Sequence, residues 1–99
     1  MDHAARIACF GDSLMEGWGL TPGRAYPARL QQALERTGRN VRCLNMGASG
    51  ETSAGGLLRL GGVLQAAPRA APYAAIVEFG ANDAYQNVPP EHLAANLDA

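Results

Sequence analysis

Three short polar turns carry the residues able to do chemistry in this 99-residue chain. Gly11-Asp12-Ser13-Leu14 directly follows the apolar run Ile7-Ala8-Cys9-Phe10. Asn45-Met46-Gly47-Ala48-Ser49-Gly50 and Gly80-Ala81-Asn82-Asp83 follow apolar runs in the same way. A serine hydroxyl becomes a nucleophile once a base removes its proton. A glycine lets the backbone approach a ligand closely, and an asparagine amide donates a hydrogen bond without bringing charge. In open α/β sheets ligands bind in the crevice beyond the C-terminal ends of the strands. Three such turns at three strand tips would therefore converge on one edge of a sheet.

The elements that must position these turns read as β-α-β-α-β followed by the start of a helix. The first strand spans about Arg6 to Phe10, and Glu16 to Gly23 form a loop dense in turn formers over the site. Pro27 suits the first turn of a helix. Leu30, Ala33 and Leu34 recur at helical spacing, and Gly38 supplies a stop. A second strand covers about Val41 to Asn45. The second helix begins near Thr52 or Ser53, either of which can cap it, with Leu57, Leu60 or Gly61, and Leu64 as its inward stripe. Pro68 to Pro72 ends that helix, Tyr73 to Phe79 is the third strand, and Pro89-Pro90 opens a short helix from about Glu91. Strands alternating with helices imply a parallel sheet with right-handed crossovers. The nearly continuous apolar content of Tyr73 to Phe79 suits a parallel strand covered on both faces.

The three turns together resemble those of the SGNH hydrolases, also called the GDSL esterase and lipase family. Gly11-Asp12-Ser13-Leu14 resembles its nucleophile block, Ser49-Gly50-Glu51-Thr52-Ser53 its glycine block, and Gly80-Ala81-Asn82-Asp83 its asparagine block. At average residue usage the word G-D-S-L arises by chance in roughly 10⁻³ of chains this long and G-x-N-D in roughly 10⁻². Their joint appearance in this order is therefore specific. The resemblance runs from about Arg6 to about Leu97 but matches only the first half of the family's domain. Residues 1–99 are thus expected to be the N-terminal portion of a single domain that lacks the family's Asp-x-x-His block. The fold it implies is a flavodoxin-like three-layer α/β/α sandwich with a parallel sheet, cut to about three strands in the order 2-1-3. The third strand would then be an uncovered edge, prone to association.

The roles implied by the resemblance agree with what the residues can do. Ser13 would attack an ester or thioester carbonyl. The backbone N–H groups of Ser13 and Gly50 and the side-chain amide of Asn82 would hold the resulting oxyanion. Asp12 and Asp83 are expected to orient their neighbours by accepting backbone N–H groups, and Asn45 to support the site by hydrogen bonding across it. The base is missing from this pattern. His3 and His92 both lie outside an Asp-x-x-His context, so the chain is expected to be inactive alone. Glu78, an acid inside an apolar strand, must be paired or protonated and receives no role from the sequence. Ala48 to Ser53 and Val77 to Asp83 are most similar to the bacterial thioesterase I, lysophospholipase and arylesterase branch. That branch implies small esters, acyl thioesters or lysophospholipids as substrates, with neither metal nor organic cofactor.

Composition narrows the alternatives. The formal net charge is −1, and the eight basic residues are all arginines scattered from Arg6 to Arg69, so nothing marks a nucleic-acid surface. The first residues lack the apolar core of a secretory signal, and no stretch approaches the roughly 18 apolar residues of a membrane span, which points to a cytoplasmic protein. Cys9 and Cys43 are expected as buried free thiols. Two other readings stand beside the hydrolase. One is a non-catalytic hydrolase half that self-associates, or binds a complementing chain, through its open edge. The other is a nucleotide-binding domain, although Gly17-Trp18-Gly19 lacks the G-x-G-x-x-G spacing.

Overall fold

A computed structural model describes residues 5–65 and 72–99. The chain runs β1 (Ala5–Gly11), α1 (Ser13–Glu16), a 3-10 turn (Pro22–Arg24), α2 (Tyr26–Arg36), β2 (Val41–Gly47), α3 (Ser53–Gln65), β3 (Tyr73–Glu78), α4 (Ala81–Tyr85) and α5 (Pro90–Asp98). The three strands form one parallel sheet in the order β2-β1-β3. Gly11 lies opposite Gly47 on one side and Glu78 on the other, so the three strand ends are level. This is the α/β architecture and strand order expected from the sequence. His3, Arg69 and the helix stop at Pro68 lie outside the described residues.

Alternation along β1 divides the layers. Ala8 and Phe10 are buried and cluster with Val63 of α3, with Met46, Leu60, Tyr73 and Phe79 packed around them. Phe10 meets Phe79 edge to face, the ring centroids 5.0 Å apart and the planes at 79°, the geometry that aromatic quadrupoles favour. On the other face, α1 lies directly on the β1 and β2 ends. A Cβ on Gly47 would meet the Glu16 backbone, with Glu16 Cα at 2.6 Å, and one on Gly11 would come within 2.9 Å of Met15 Cβ.

Several expectations need correction. The inward stripe of α3 is Ser53, Gly56 and Val63 with Leu60 half-buried, whereas Leu57 and Leu64 are exposed. The reason is Gly56, where a Cβ would lie within 3.0 Å of three Phe79 ring atoms. The glycine admits the ring, and the stripe turns toward it. In α2 Pro27 is buried, Ala28, Leu30, Gln31, Gln32 and Leu34 are half-buried, and Ala33 is exposed. Gln31 replaces an apolar contact by bonding the β2 edge, donating to Val41 O at 2.7 Å and accepting from Cys43 N at 2.6 Å. β3 is an edge strand with Ala74, Ala75 and Val77 exposed, the uncovered edge expected of a sheet in the order 2-1-3. Cys43 is only half-buried because β2 is the opposite edge. Burial, with Cys43 alongside, pushes the Cys9 thiol up to about 11, and burial also raises Cys43.

The glycine geometry separates two substitutions. Gly47→Ala forces α1 off the sheet against rigid backbone and should destabilise the chain by about 1–3 kcal/mol. Gly61→Ala, in an exposed helical position with nothing within 4 Å, should stabilise it by up to about 1 kcal/mol. Urea denaturation followed by circular dichroism reads both, and equal effects would contradict this packing.

Candidate active site

Ser13 opens α1, and the cap of that helix is Asp12. Asp12 Oδ1 accepts the Leu14 N–H at 3.0 Å from a fully buried side chain. The capping duty therefore falls on Asp12, which leaves the Ser13 hydroxyl free of it. The helix lasts four residues and ends at Gly17, whose φ of +92° is one that side chains resist. Among the described residues no group hydrogen-bonds the backbone N–H of Ser13.

The second turn is tied to α1. Glu16 Oε2 accepts both Ser49 N–H at 2.6 Å and Ser49 Oγ–H at 2.8 Å. Asn45 Nδ2 donates to Glu16 O at 3.1 Å, while Asn45 Oδ1 accepts the Gly47 N–H at 3.0 Å. Ala48 N–H closes the gap to β1 by donating to Gly11 O at 3.0 Å. Gly50 sits at the exposed end of this turn with φ +77°, and its N–H bonds no described residue. Asn45 thus braces the second turn against α1.

The third block is not only a turn. Gly80, with φ +137°, precedes the short helix α4, which holds both Asn82 and Asp83. Asn82 Nδ2 donates one hydrogen to Glu51 O at 3.0 Å, leaving its second N–H available. Asp83 is buried and accepts from Ser53, through N–H at 2.8 Å and Oγ–H at 2.7 Å. Asn96 Nδ2 of α5 adds a bond to Ser53 Oγ at 3.0 Å. Asp83 therefore orients the start of α3, thirty residues away in sequence, rather than a neighbouring amide. Thr52 Oγ1 caps α3 by accepting Gly55 N–H at 3.4 Å.

One cation joins the first two turns and, through Glu51, reaches the third. Arg59 of α3 donates from Nη2 to Met46 O at 2.7 Å and to Gly11 O at 3.1 Å. Its Nε pairs with Glu51 Oε1 at 2.7 Å, and its guanidinium lies 4.6 Å above the Phe10 ring. Glu51 in turn carries the carbonyl that Asn82 bonds. Arg59, Glu51 and Glu16 were not read as site residues from the sequence. The one available signal was that Arg59 is the single charged residue in Ser53–Gln65. Glu78 ends β3 opposite Gly11. His92 is exposed on α5, and among the described residues no histidine bonds Ser13. Trp18 is 77% exposed rather than folded over the site.

The site therefore places a serine with an unengaged hydroxyl, two unengaged backbone N–H groups and a fixed amide on turns that are bonded to one another. Known proteins are similar to the chain in sequence and in fold. The chain is 33% identical over 92 residues to an arylesterase of Vibrio mimicus, covering 93% of this chain and 44% of that protein. It is 35% identical over 94 residues to the esterase TesA of Pseudomonas aeruginosa, covering 95% of this chain and 45% of TesA. The crystal structure of AlinE4, a SGNH-hydrolase family esterase, superposes with a TM-score of 0.86 at 44% identity over 98% of this chain and 51% of AlinE4. The chain thus spans about half the length of these relatives. Residues 9–99 match the profile of the GDSL-like lipase/acylhydrolase family, and the chain belongs to that family.

Proposed function

We propose that this chain carries the nucleophile and oxyanion hole of a serine hydrolase acting on small carboxylic esters or acyl thioesters. The observation that carries the reading is the division of labour among donors. Every turn is held by other groups, while Ser13 Oγ, Ser13 N–H, Gly50 N–H and one Asn82 amide hydrogen are left for a ligand. Ser13 Oγ attacks the carbonyl carbon, and the carbonyl oxygen takes the charge. Those three donors stabilise it without having to reorganise. The Ser13 proton passes to a base and from there to the departing alcohol or thiol, and water then hydrolyses the acyl-serine. We assign the base to a histidine other than His3 and His92, supplied by a further segment or a complementing chain. The esterases among the relatives support this class of reaction.

Hydrolysis of p-nitrophenyl butyrate with and without added imidazole tests the assignment. Imidazole should raise the rate of the unsubstituted chain above that of Ser13→Ala, by standing in for the base. Asn82→Ala should lower the Ser13-dependent rate by about 10²–10³. Equal rates for the chain and Ser13→Ala in both conditions would contradict it.

A second reading is favoured by the edge itself, where Val77 is 53% exposed beside exposed Ala74 and Ala75. There β3 pairs with a second copy or a complementing chain. Sedimentation velocity should then show concentration-dependent association, and a single monomeric species at all concentrations would rule out self-pairing.

A further inference from the structure

Two carboxyl oxygens stand out beneath the nucleophile turn. Asp12 Oδ2 and Glu78 Oε1 are both enclosed, and neither has a hydrogen-bond donor. Asp12 is 0% exposed, and its other oxygen is already engaged with Leu14 N–H. Unpaired acceptors at such a site are costly, and two facing carboxylates would add repulsion. The backbone nevertheless brings them together. Glu78 pairs in register with Gly11, the residue before Asp12. A Cβ on Gly11 would lie 2.8 Å from Glu78 Oε1 and 2.6 Å from Glu78 O, so the glycine is what lets the glutamate lie across the β1 end.

One proton satisfies both atoms. We infer that Glu78 is a positioning residue for the nucleophile: as the neutral acid it donates a hydrogen bond to Asp12 Oδ2 and thereby fixes the cap that sets Ser13. This deepens the reading of Ser13 as nucleophile and rests on it. It also gives the odd acid of an apolar strand a purpose that the esterase mechanism itself does not use.

The surroundings favour the neutral form. Leu14, Met15, Tyr26 and Ile76 line an open cleft of about 250 Å³ with Glu78. From β1 the neighbouring group on this face is the neutral Cys9 thiol, opposite Ile76. Glu16 of α1 is turned to Ser49, and Tyr26 is the titratable group from α2. Arg59 serves Gly11 O from α3, with its guanidinium over the Phe10 ring. Burial first, then the Asp12 carboxyl, push Glu78 up to about 7, with the Asp12 backbone N–H acting in the opposite direction. The folded chain thus holds this proton more tightly than the unfolded one. The stabilisation is complete below the ordinary value of 4.5, and it is lost as pH rises through about 7.

Nuclear magnetic resonance reads the pair without any need for catalysis, so its result is separable from that of the ester assay. In the unsubstituted chain the Leu14 amide should shift with a midpoint near pH 7, and the step should vanish in Glu78→Gln, which keeps a donor at every pH. No step between pH 5 and 9, or the same step in Glu78→Gln, would overturn the proposal. The Glu78 side-chain carboxyl resonance of the unsubstituted chain gives a check independent of that variant. A midpoint near pH 7 supports the held proton, and a midpoint near the ordinary 4.5 refutes it.

Discussion

The ends of β1 and β2 coincide at one edge of the parallel sheet, where Ala48 N–H bonds Gly11 O across the gap. Gly11 O and Met46 O both point into the space that α3 crosses, and Arg59 answers both from one planar guanidinium. The same group pairs with Glu51, so the turn that follows β2 is held against the turn that follows β1. Its face rests on Phe10, whose edge-to-face contact with Phe79 continues the column toward the end of β3. Hydrogen bonds to charged donors are the stronger kind, about 1.5–3 kcal/mol each. Losing the guanidinium would remove one donor each from Met46 O and from Gly11 O, which keeps the Ala48 N–H, and would strip Glu51 Oε1 of its ion-pair partner. The rest of the site depends on this cation.

Around it the polar groups fall into two sets. Glu16, Asn45, Glu51, Ser53 and Asp83 spend their capacity on one another and on backbone. Among the described residues the N–H groups of Ser13 and Gly50 have no partner. Such a division suits a hole for a developing negative charge, since donors that are already oriented need no rearrangement when charge appears. Gly50 fits because its positive φ turns the backbone N–H outward at a place where a side chain would be strained. Asn82 belongs to both sets. One amide hydrogen fixes the side chain to Glu51 O, and the other has no bond among the described residues.

The turns bearing Ser13, Gly50 and Asn82 were legible because each follows a short apolar strand and keeps its own local word. The strand order was legible through the resemblance those words carry. What joins the turns was not. Arg59 reaches Gly11 across 48 positions and Glu16 reaches Ser49 across 33, and no periodicity within one element encodes such pairs. The α3 stripe was misread for a related reason. Leucine spacing favoured Leu57 and Leu64, but the ring of Phe79 selects the glycine at 56, a choice made by another strand. Asp83 was expected to serve its own turn and instead serves the start of α3. Glu78 could be flagged as anomalous from its strand alone, yet its partner became visible only when β1 and β3 were set in register.

Amide hydrogen exchange in an Arg59→Met chain tests most directly whether one cation holds the three turns as a unit. Methionine keeps the apolar stem over Phe10 and removes the guanidinium. Leu14 of the first turn, Ser49 of the second and Ala84 of the third should then exchange faster together, by about tenfold or more, while Arg29 in α2 remains unchanged. Faster exchange confined to α3, or none at all, would contradict the account.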